Sequence, residues 1–298
     1  MSKLSIEKYA AIDIGSNAIR LLIVTVIDKE GAETHFKKTS LVRVPIRLGE
    51  DVFVNGNISE GNFSRMVDAM NAYQLIMKTH YVKKYRACAT SAMRDAENGN
   101  EIVSKILEQT GIKIDIIDGN DEAALIATTD LDAFVQDDKV YLYVDVGGGS
   151  TEFTIYGNGH VVDSRSFKLG TVRIINNMVS KDVWKEVEHW IKSRTRKYSD
   201  IALLGSGGNI NSIYKSSDKK IGAPLSYLYL SSYYRRIKNL NYEERIFELN
   251  MNPDRADVII PATKIYLSAM KWSKAKNIYV PKIGLSDGII RSLYNQKY

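Results

Sequence analysis

Two stretches of the chain place a carboxylate, a glycine turn and hydroxyl side chains in the same order. Asp13-Ile14-Gly15-Ser16-Asn17 follows the apolar run Tyr9–Ile12, and Asp145-Val146-Gly147-Gly148-Gly149-Ser150-Thr151-Glu152 follows Val140–Val144. Glycine puts no Cβ in the way, so successive backbone N–H groups can converge on an anion. Ser16, Ser150 and Thr151 add hydroxyl donors. A carboxylate repels phosphate but binds Mg2+, which in turn meets phosphate oxygens. Asp13, Asp145 and Glu152 are the candidates, Glu152 reaching the ion from the outgoing strand of the hairpin. One such turn is a weak signal. A pair of them, opening two similar segments, points to a phosphate site, and three consecutive glycines suit a merely structural hairpin poorly.

Three further residue groups fit the same chemistry. Leu204–Ile210 (LGSGGNI) leaves an apolar strand and enters a helix, so Gly207 and Gly208 with the helix N-terminus suit an anion. Arg94, within Ala89–Ala96 (ATSAMRDA), carries a planar guanidinium that matches phosphate; an ion pair with Asp95 or Glu97 accounts for it equally well. Glu122, within Gly119–Ala123 (GNDEA), stands near a helix N-terminus, where the dipole alone explains an acid. The alternative is a general base that orients a water towards phosphorus, and position does not choose between them.

The elements that must hold these residues alternate between strand and helix. Strands are expected at 9–15, 19–27, 41–48, 85–90 and 112–116, and helices at 60–80, 96–110 and 122–134, from period-2 and period-3.6 apolar patterns. The pattern then restarts with strands at 140–146, 152–156 and 160–167. Helices follow near 171–178 and 181–197, then a strand at 201–204. Helices are expected at 208–216, 226–238, 242–250, 254–275 and 289–295, with a strand at 277–281. Asp13 and Asp145 thus open two related α/β halves 132 residues apart. Two such halves facing each other would form a cleft lined by the turns. The expected division is 1–124 and 125–298, with a C-terminal helix at about 286–298 packing back on the first half.

The length, 298 residues, suits two domains. The 44% hydrophobic and 26% charged content is that of a globular chain. No apolar run reaches the ~18 residues of a membrane span, the first residues lack a signal-peptide core, and the one cysteine, Cys88, excludes an internal disulfide framework. A cytoplasmic setting is expected, with Cys88 a small buried residue. The surplus of 41 basic over 35 acidic residues, +6, suits an anionic partner as well as ordinary solubility. Its densest cluster, Lys192–Lys197 (KSRTRK), ends a helical pattern. The tyrosine-rich stretch 227–234 reads as a packing face or a homodimer contact.

In order and spacing, DIGSNAIRLLI (13–23), ATSAMRDAEN (89–98), DGNDEA (118–123), DVGGGSTEF (145–153) and GSGGNI (205–210) resemble the signature stretches of the exopolyphosphatase / guanosine pentaphosphate phosphohydrolase (Ppx/GppA) family. The resemblance implies two ribonuclease-H-like domains of the actin, Hsp70 and sugar-kinase superfamily around a central cleft. It also implies Mg2+-dependent hydrolysis of a terminal phosphoanhydride of inorganic polyphosphate or guanosine pentaphosphate. In the family's pattern Glu122 is the general base, Asp145 and Glu152 hold magnesium, and Arg94 contacts phosphate. Gly15–Asn17, Gly147–Thr151 and Gly207–Gly208 cradle the phosphate chain, and Arg20 can contact guanosine tetraphosphate. Three departures stand out: Asp121 where a glutamate is usual, Asn209 where threonine is common, and Gly284–Gly288 (GLSDG) without the usual basic residue. No histidine is followed by aspartate, so the chain resembles the short two-domain members that lack a helical HD-type domain. No membrane and no specific nucleic acid partner is expected. A kinase of the same fold would need an acceptor insert that is missing here. A sensor that binds these polyphosphates without turnover is opposed by the intact set Glu122, Arg94, Asp145 and Glu152.

Overall fold

The computed structural model describes residues 4–129, 139–157, 160–220 and 222–296. They divide into two units, Met1–Thr129 with Leu285–Tyr298, and Asp130–Gly284. Unit 1 begins with β1 (Leu4–Ile14), β2 (Ile19–Lys29) and β3 (His35–Val44), followed by α1 (Leu48–Asn55) and α2 (Glu60–Thr79). It continues through β4 (Lys84–Ala89), α3 (Ser91–Asp95), α4 (Gly99–Thr110), β5 (Ile114–Ile116) and α5 (Gly119–Ala127). Its sheet has the order β3-β2-β1-β4-β5: an antiparallel meander joined to two strands parallel to β1.

Unit 2 repeats this plan. Its elements are β6 (Val140–Val146), β7 (Thr151–Gly157), β8 (His160–Phe167), α6 (Thr171–Ile175), α7 (Lys181–Thr195), β9 (Ile201–Ser206) and α8 (Gly208–Lys215). Then come β10 (Leu225–Ser226), α9 (Tyr227–Asn239), α10 (Tyr242–Phe247), α11 (Pro253–Ala256), α12 (Ile259–Ser273) and β11 (Asn277–Tyr279). The sheet order is β10-β11-β9-β6-β7-β8, with β9 and β11 parallel in sequence to β6 and the β6-β7-β8 meander antiparallel. Both units are ribonuclease-H-like α/β sheets. The last element, α13 (Leu285–Asn295), belongs to unit 1.

The local chemistry explains most boundaries. Ser59 caps α2 by accepting from the Asn62 N–H, and Gly111 ends α4 in the left-handed conformation. The central strands are buried over their last residues: Ala10–Ile14 of β1 are all inaccessible or nearly so. One face of the unit 1 sheet is covered by α5 and α13, through Tyr9, Ala11, Leu22, Cys88, Ile117, Leu125, Ile289 and Ile290. A Cβ on Gly288 would be driven into the Leu125 carbonyl, so α13 lies directly on α5. Unit 2 has its own core, in which Phe153, Phe167 and Trp190 pack edge to face.

Several elements differ from the pattern-based expectation. The third strand runs over His35–Val44 rather than 41–48, because an edge strand tolerates the exposed Lys37, Lys38 and Thr39 on its open side. Pro45 lies just beyond it, and α1 follows, a helix with no Ser or Asp at its start: its N-cap is Arg47 in the left-handed region, φ 63°. The expected helix 254–275 is two, α11 and α12. The helix expected over 122–134 starts earlier, at Gly119, and residues 130–134 lie outside the described residues. The division between units falls after Thr129 rather than at 124, since Leu125 packs with Ile289 in the core of unit 1. The tyrosine-rich stretch is largely α9, which buries Leu230 and Tyr233 in the unit 2 core and stacks Tyr229 on Tyr233. No helix of the described residues is long and apolar enough to cross a membrane.

Candidate active site

In unit 1 the β1–β2 hairpin presents the first turn. Gly15 N–H donates to the Ala18 carbonyl (3.1 Å), which closes the turn. The carbonyls of Ser16 and Asn17 are taken from outside it, by the backbone N–H groups of Gly49 (2.8 Å) and Arg47 (3.1 Å) at the start of α1. A helix start has N–H groups without intrahelical partners, and here two of them fix the turn. Asp13 ends the buried part of β1 and faces Arg20 across the strand pair. The Arg20 guanidinium donates to Asp13 Oδ2 at 2.7 Å, with the Asp13 side chain 7% exposed. Asp13 was expected among the metal ligands. In the structure it is ion-paired with Arg20, a partner fixed by strand register, which the residue types alone do not disclose.

Arg94 lies on α3, directly after β4, whose end is tied to β1 by Thr90 N–H donating to the Ile14 carbonyl. Its Nη1 donates to the Ile117 carbonyl at 2.6 Å. The alternative partners Asp95 and Glu97 are not used, so one arm of the fork is anchored on backbone and the cation keeps its charge unneutralised. Glu122 lies in the first turn of α5 and is 8% exposed. Capping of that helix is done by Asp118, whose Oδ1 accepts from the N–H groups of Asn120 and Asp121, both at 2.8 Å. The helix start therefore does not need Glu122 as its cap. The thiol of Cys88, the β4 neighbour of Asp13, is pushed up to about 12, chiefly by burial and further by the charges of Asp115, Asp13 and Glu122. Asp13 and Glu122 thus act on the same buried atom, and Cys88 is a protonated, inert packing residue.

Unit 2 repeats the arrangement with different chemistry. Asp145 sits on β6 opposite Glu152 on β7 and beside Ser206 on β9. Cross-strand partners have Cβ atoms about 5 Å apart, and like charges there repel. Glu152 is 3% exposed, and its Oε1 accepts from the hydroxyls of Ser150 (2.6 Å) and Ser166 (2.8 Å). The Gly147–Ser150 turn is fixed through its carbonyls. Gly147 O accepts from the Thr171 N–H (3.0 Å); Gly148 O accepts from the Val172 N–H (2.8 Å); Gly149 O accepts from Arg173 Nε (2.8 Å). Gly170 makes this approach possible, since a Cβ there would overlap the Gly148–Gly149 peptide. With the carbonyls held from behind, the N–H groups of Gly148, Gly149 and Ser150 have no acceptor among the described residues.

Ser150 and Thr151 were expected to offer hydroxyls to phosphate. Each hydroxyl has one proton to donate: that of Ser150 goes to Glu152, and that of Thr151 goes to the Leu169 carbonyl. What this turn offers an anion is backbone N–H. The second glycine pair adjoins it. A Cβ on Gly207 would lie 3.3 Å from Asp145 Oδ1 and 3.4 Å from the Tyr266 hydroxyl. Complete burial pushes the Tyr143 and Tyr266 phenols well above 10, with Asp145 adding to the shift, so both remain protonated donors.

Three residues here escaped the sequence reading. Arg173, 8% exposed, is fastened to the glycine turn. Arg255 lays its guanidinium over Gly208, where a Cβ would meet it, and reaches Asn209 Oδ1 at 3.5 Å. Ser166 orients Glu152 from β8. Leu169-Gly170 before a helix is the one sequence signal that could have led to Arg173, and Pro253 at a helix start brackets Arg255 only loosely. Among the described residues no group of three or more His, Cys, Asp or Glu side chains forms a metal cage. The adjacent pair Asp145 and Glu152 remains. That suits an ion such as Mg2+, which takes one or two carboxylates and completes its shell with water and substrate phosphate.

The sequence profile of the Ppx/GppA phosphatase family matches residues 26–297. The chain is 31% identical over 293 residues to a bifunctional 3-dehydroquinate synthase/phosphatase of Fusobacterium nucleatum, covering 87% of this chain and 43% of that one. It is 30% identical over 187 residues to exopolyphosphatase 2 of Mycobacterium tuberculosis, covering 60% and 57%. The chain spans about half the length of these relatives. Among solved structures, an exopolyphosphatase from Cytophaga hutchinsonii superposes with a TM-score of 0.83 at 22% identity, covering 97% of this chain and 98% of that one. At that identity the likeness is one of fold.

Proposed function

The chain belongs to the Ppx/GppA phosphatase family, and on that premise we propose that it hydrolyses the terminal phosphoanhydride of inorganic polyphosphate or guanosine pentaphosphate, releasing orthophosphate. The observation that carries this reading is the cross-strand pair of half-buried Asp145 and buried Glu152 beside a glycine turn whose carbonyls are all held from behind. Mg2+ is the ion the pair suits, with Asp145 and Glu152 as its protein ligands; when bound it neutralises phosphate oxygens.

The backbone N–H groups of the Gly147–Ser150 turn receive terminal phosphate oxygens, as do those around Gly207 and Gly208 and those of Gly15–Asn17. Arg94, anchored on the Ile117 carbonyl, supplies positive charge, and Arg20, ion-paired with Asp13, supplies N–H donors to phosphate oxygens. Glu122 accepts a proton from the attacking water as its oxygen adds to the terminal phosphorus. The bridging P–O bond breaks, and the electron pair stays on the departing phosphate chain. Such chemistry asks a protein for positioning and charge more than for covalent work.

Phosphate release with Mg2+ from long polyphosphate, tripolyphosphate, guanosine pentaphosphate and ATP tests the proposal. Wild type should release phosphate from one of the first three, and Glu122→Gln should lower turnover by about 10²–10⁴. Unchanged turnover in Glu122→Gln removes the base assignment. Tight binding of guanosine pentaphosphate or polyphosphate with no release from any substrate identifies a sensor.

A further inference from the structure

β6 and β9 run side by side and then part. Their ladder ends at the pair Asp145–Ser206. Beyond it Val146 pairs with Thr151 of β7, and β9 leaves through Gly207, φ 104°, into α8. Each strand thus loses its parallel neighbour just before its glycine turn. Backbone groups opened in a core must find other partners. Here the partner comes from α12. The Tyr266 hydroxyl donates to the Ser206 carbonyl, and a backbone hydrogen bond from Val146 reaches the same oxygen. One phenol therefore spans the fork between the last residue of β6 and the last residue of β9.

The rest of the buried face of α12 keeps its hydroxyls to itself. Thr263 bonds the Ile259 carbonyl and Ser273 the Ala269 carbonyl, both within the helix. Tyr266 is fully buried, and a phenylalanine would fill nearly the same core space. A buried hydroxyl costs free energy unless it is bonded, so packing alone does not ask for this one. Gly207 fits into the fork beside it. A Cβ there would lie 3.0 Å from the Val146 carbonyl oxygen, as well as close to Asp145 Oδ1 and the Tyr266 hydroxyl. The phenol, the carboxylate and the glycine thus enclose one small volume. Ser206 is held a second time, its hydroxyl donating to the Ile283 carbonyl at 2.7 Å. Tyr143, two residues before Asp145 on β6, is equally deep in the core, yet among the described residues its hydroxyl bonds neither strand's backbone.

We propose that Tyr266 is a positioning residue for the Asp145 site: its phenol sets the separation of β6 and β9 where they part, and with it the placement of the Asp145 carboxylate against the backbone N–H groups around Gly207 and Gly208. A cation on Asp145 and a phosphate oxygen on that turn meet only at one spacing, and a misplacement of about 1 Å is costly in such a site. Tyr266 acts through the two strand ends and not on the ion itself. The proposal rests on the reading of Asp145 and Glu152 as the Mg2+ ligands.

The test compares Tyr266→Phe and Tyr143→Phe with wild type, all as the full chain. In metal-free protein, amide hydrogen exchange of the peptides holding Val146 and Gly207–Asn209 should quicken at least about tenfold in Tyr266→Phe. It should stay within about twofold in Tyr143→Phe. Calorimetric Mg2+ affinity should fall about tenfold in Tyr266→Phe, the scale for groups that stand behind metal ligands, and within about twofold in Tyr143→Phe. With tripolyphosphate at saturating Mg2+, KM should stay within about twofold of wild type in both. A merely structural hydroxyl would lower the urea midpoint and leave exchange at the strand ends and Mg2+ affinity of the folded protein unchanged. That result, or an equal loss in the two variants, overturns the proposal. If wild type binds no Mg2+, the metal reading fails, and the exchange at the two strand ends alone decides whether the phenol holds them.

Discussion

Asp13 and Asp145 occupy the same place in two copies of one sheet: each ends a central strand, with an antiparallel neighbour on one side and a parallel neighbour on the other. In unit 1 those neighbours are Arg20 and Cys88. In unit 2 they are Glu152 and Ser206. The backbone repeat is the same, and the residue opposite decides the chemistry. Opposite arginine, an aspartate is neutralised within the protein. Opposite glutamate, it joins a pair of carboxylates that suits an external cation. The turns that follow are held by one device with different parts. Carbonyls are taken by backbone N–H groups of a following segment, Arg47 and Gly49 in unit 1, Thr171 and Val172 in unit 2. Unit 2 adds a buried arginine side chain and a glycine contact so close that no Cβ fits.

The sharpest way to break this comparison is to add one methyl group to each turn assembly. At Gly170 it has to displace the Gly148–Gly149 backbone, whereas at Gly15 the nearest atom is the Ala18 carbonyl oxygen at an ordinary 3.4 Å. Gly170→Ala should destabilise unit 2 by about 3 kcal/mol in urea unfolding and abolish phosphate release, and Gly15→Ala should stay within about 1 kcal/mol. Equal effects would mean that the two turns are held alike. A smaller difference is expected between the arginines. Arg173→Ala removes a buried charged donor from Gly149 and should lower stability by about 2 kcal/mol. Arg47→Ala keeps the backbone N–H bond to Asn17 and loses a surface pair with Glu50, so less than about 1 kcal/mol is expected in the same assay. Smallest in free energy, and closest to the central contrast, is the metal. Calorimetric Mg2+ affinity should fall by at least about tenfold in Glu152→Gln, on the scale of changes around metal sites, and stay within about twofold in Asp13→Asn. A loss in Asp13→Asn would place Asp13 among the metal ligands.

The repeat itself was legible, because apolar runs of strand period ending in Asp and glycine are local signals. The paired turns, the third glycine cluster and Glu122 at a helix start could all be placed that way. What could not be read depends on which strand residues face one another. Nothing in DIGSNAIR announces that Arg20 folds back on Asp13, because that is set by the register of an eleven-residue pair. Hydroxyl roles suffered similarly: Thr151 looks like a phosphate donor until the Leu169 carbonyl is found beside it. Helix α1 was hidden because its cap is an arginine in the left-handed region, a position where asparagine or glycine would have signalled a boundary. The role of Arg173 is legible only once Gly170 is known to touch the turn.

The placement of α13 has a consequence for the order of events during synthesis. Unit 2 is one uninterrupted stretch, so it can fold as soon as Gly284 leaves the ribosome. Unit 1 is emitted first yet waits longest. The face of its sheet bearing Tyr9, Leu22 and Cys88, together with the helix that carries Glu122, stays without Ile289 and Ile290 until the segment after unit 2 appears. For that interval the apolar face of the unit 1 sheet lacks the residues that complete its core. Glu122, proposed above as the general base, thus gains this packing only after unit 2 has been made.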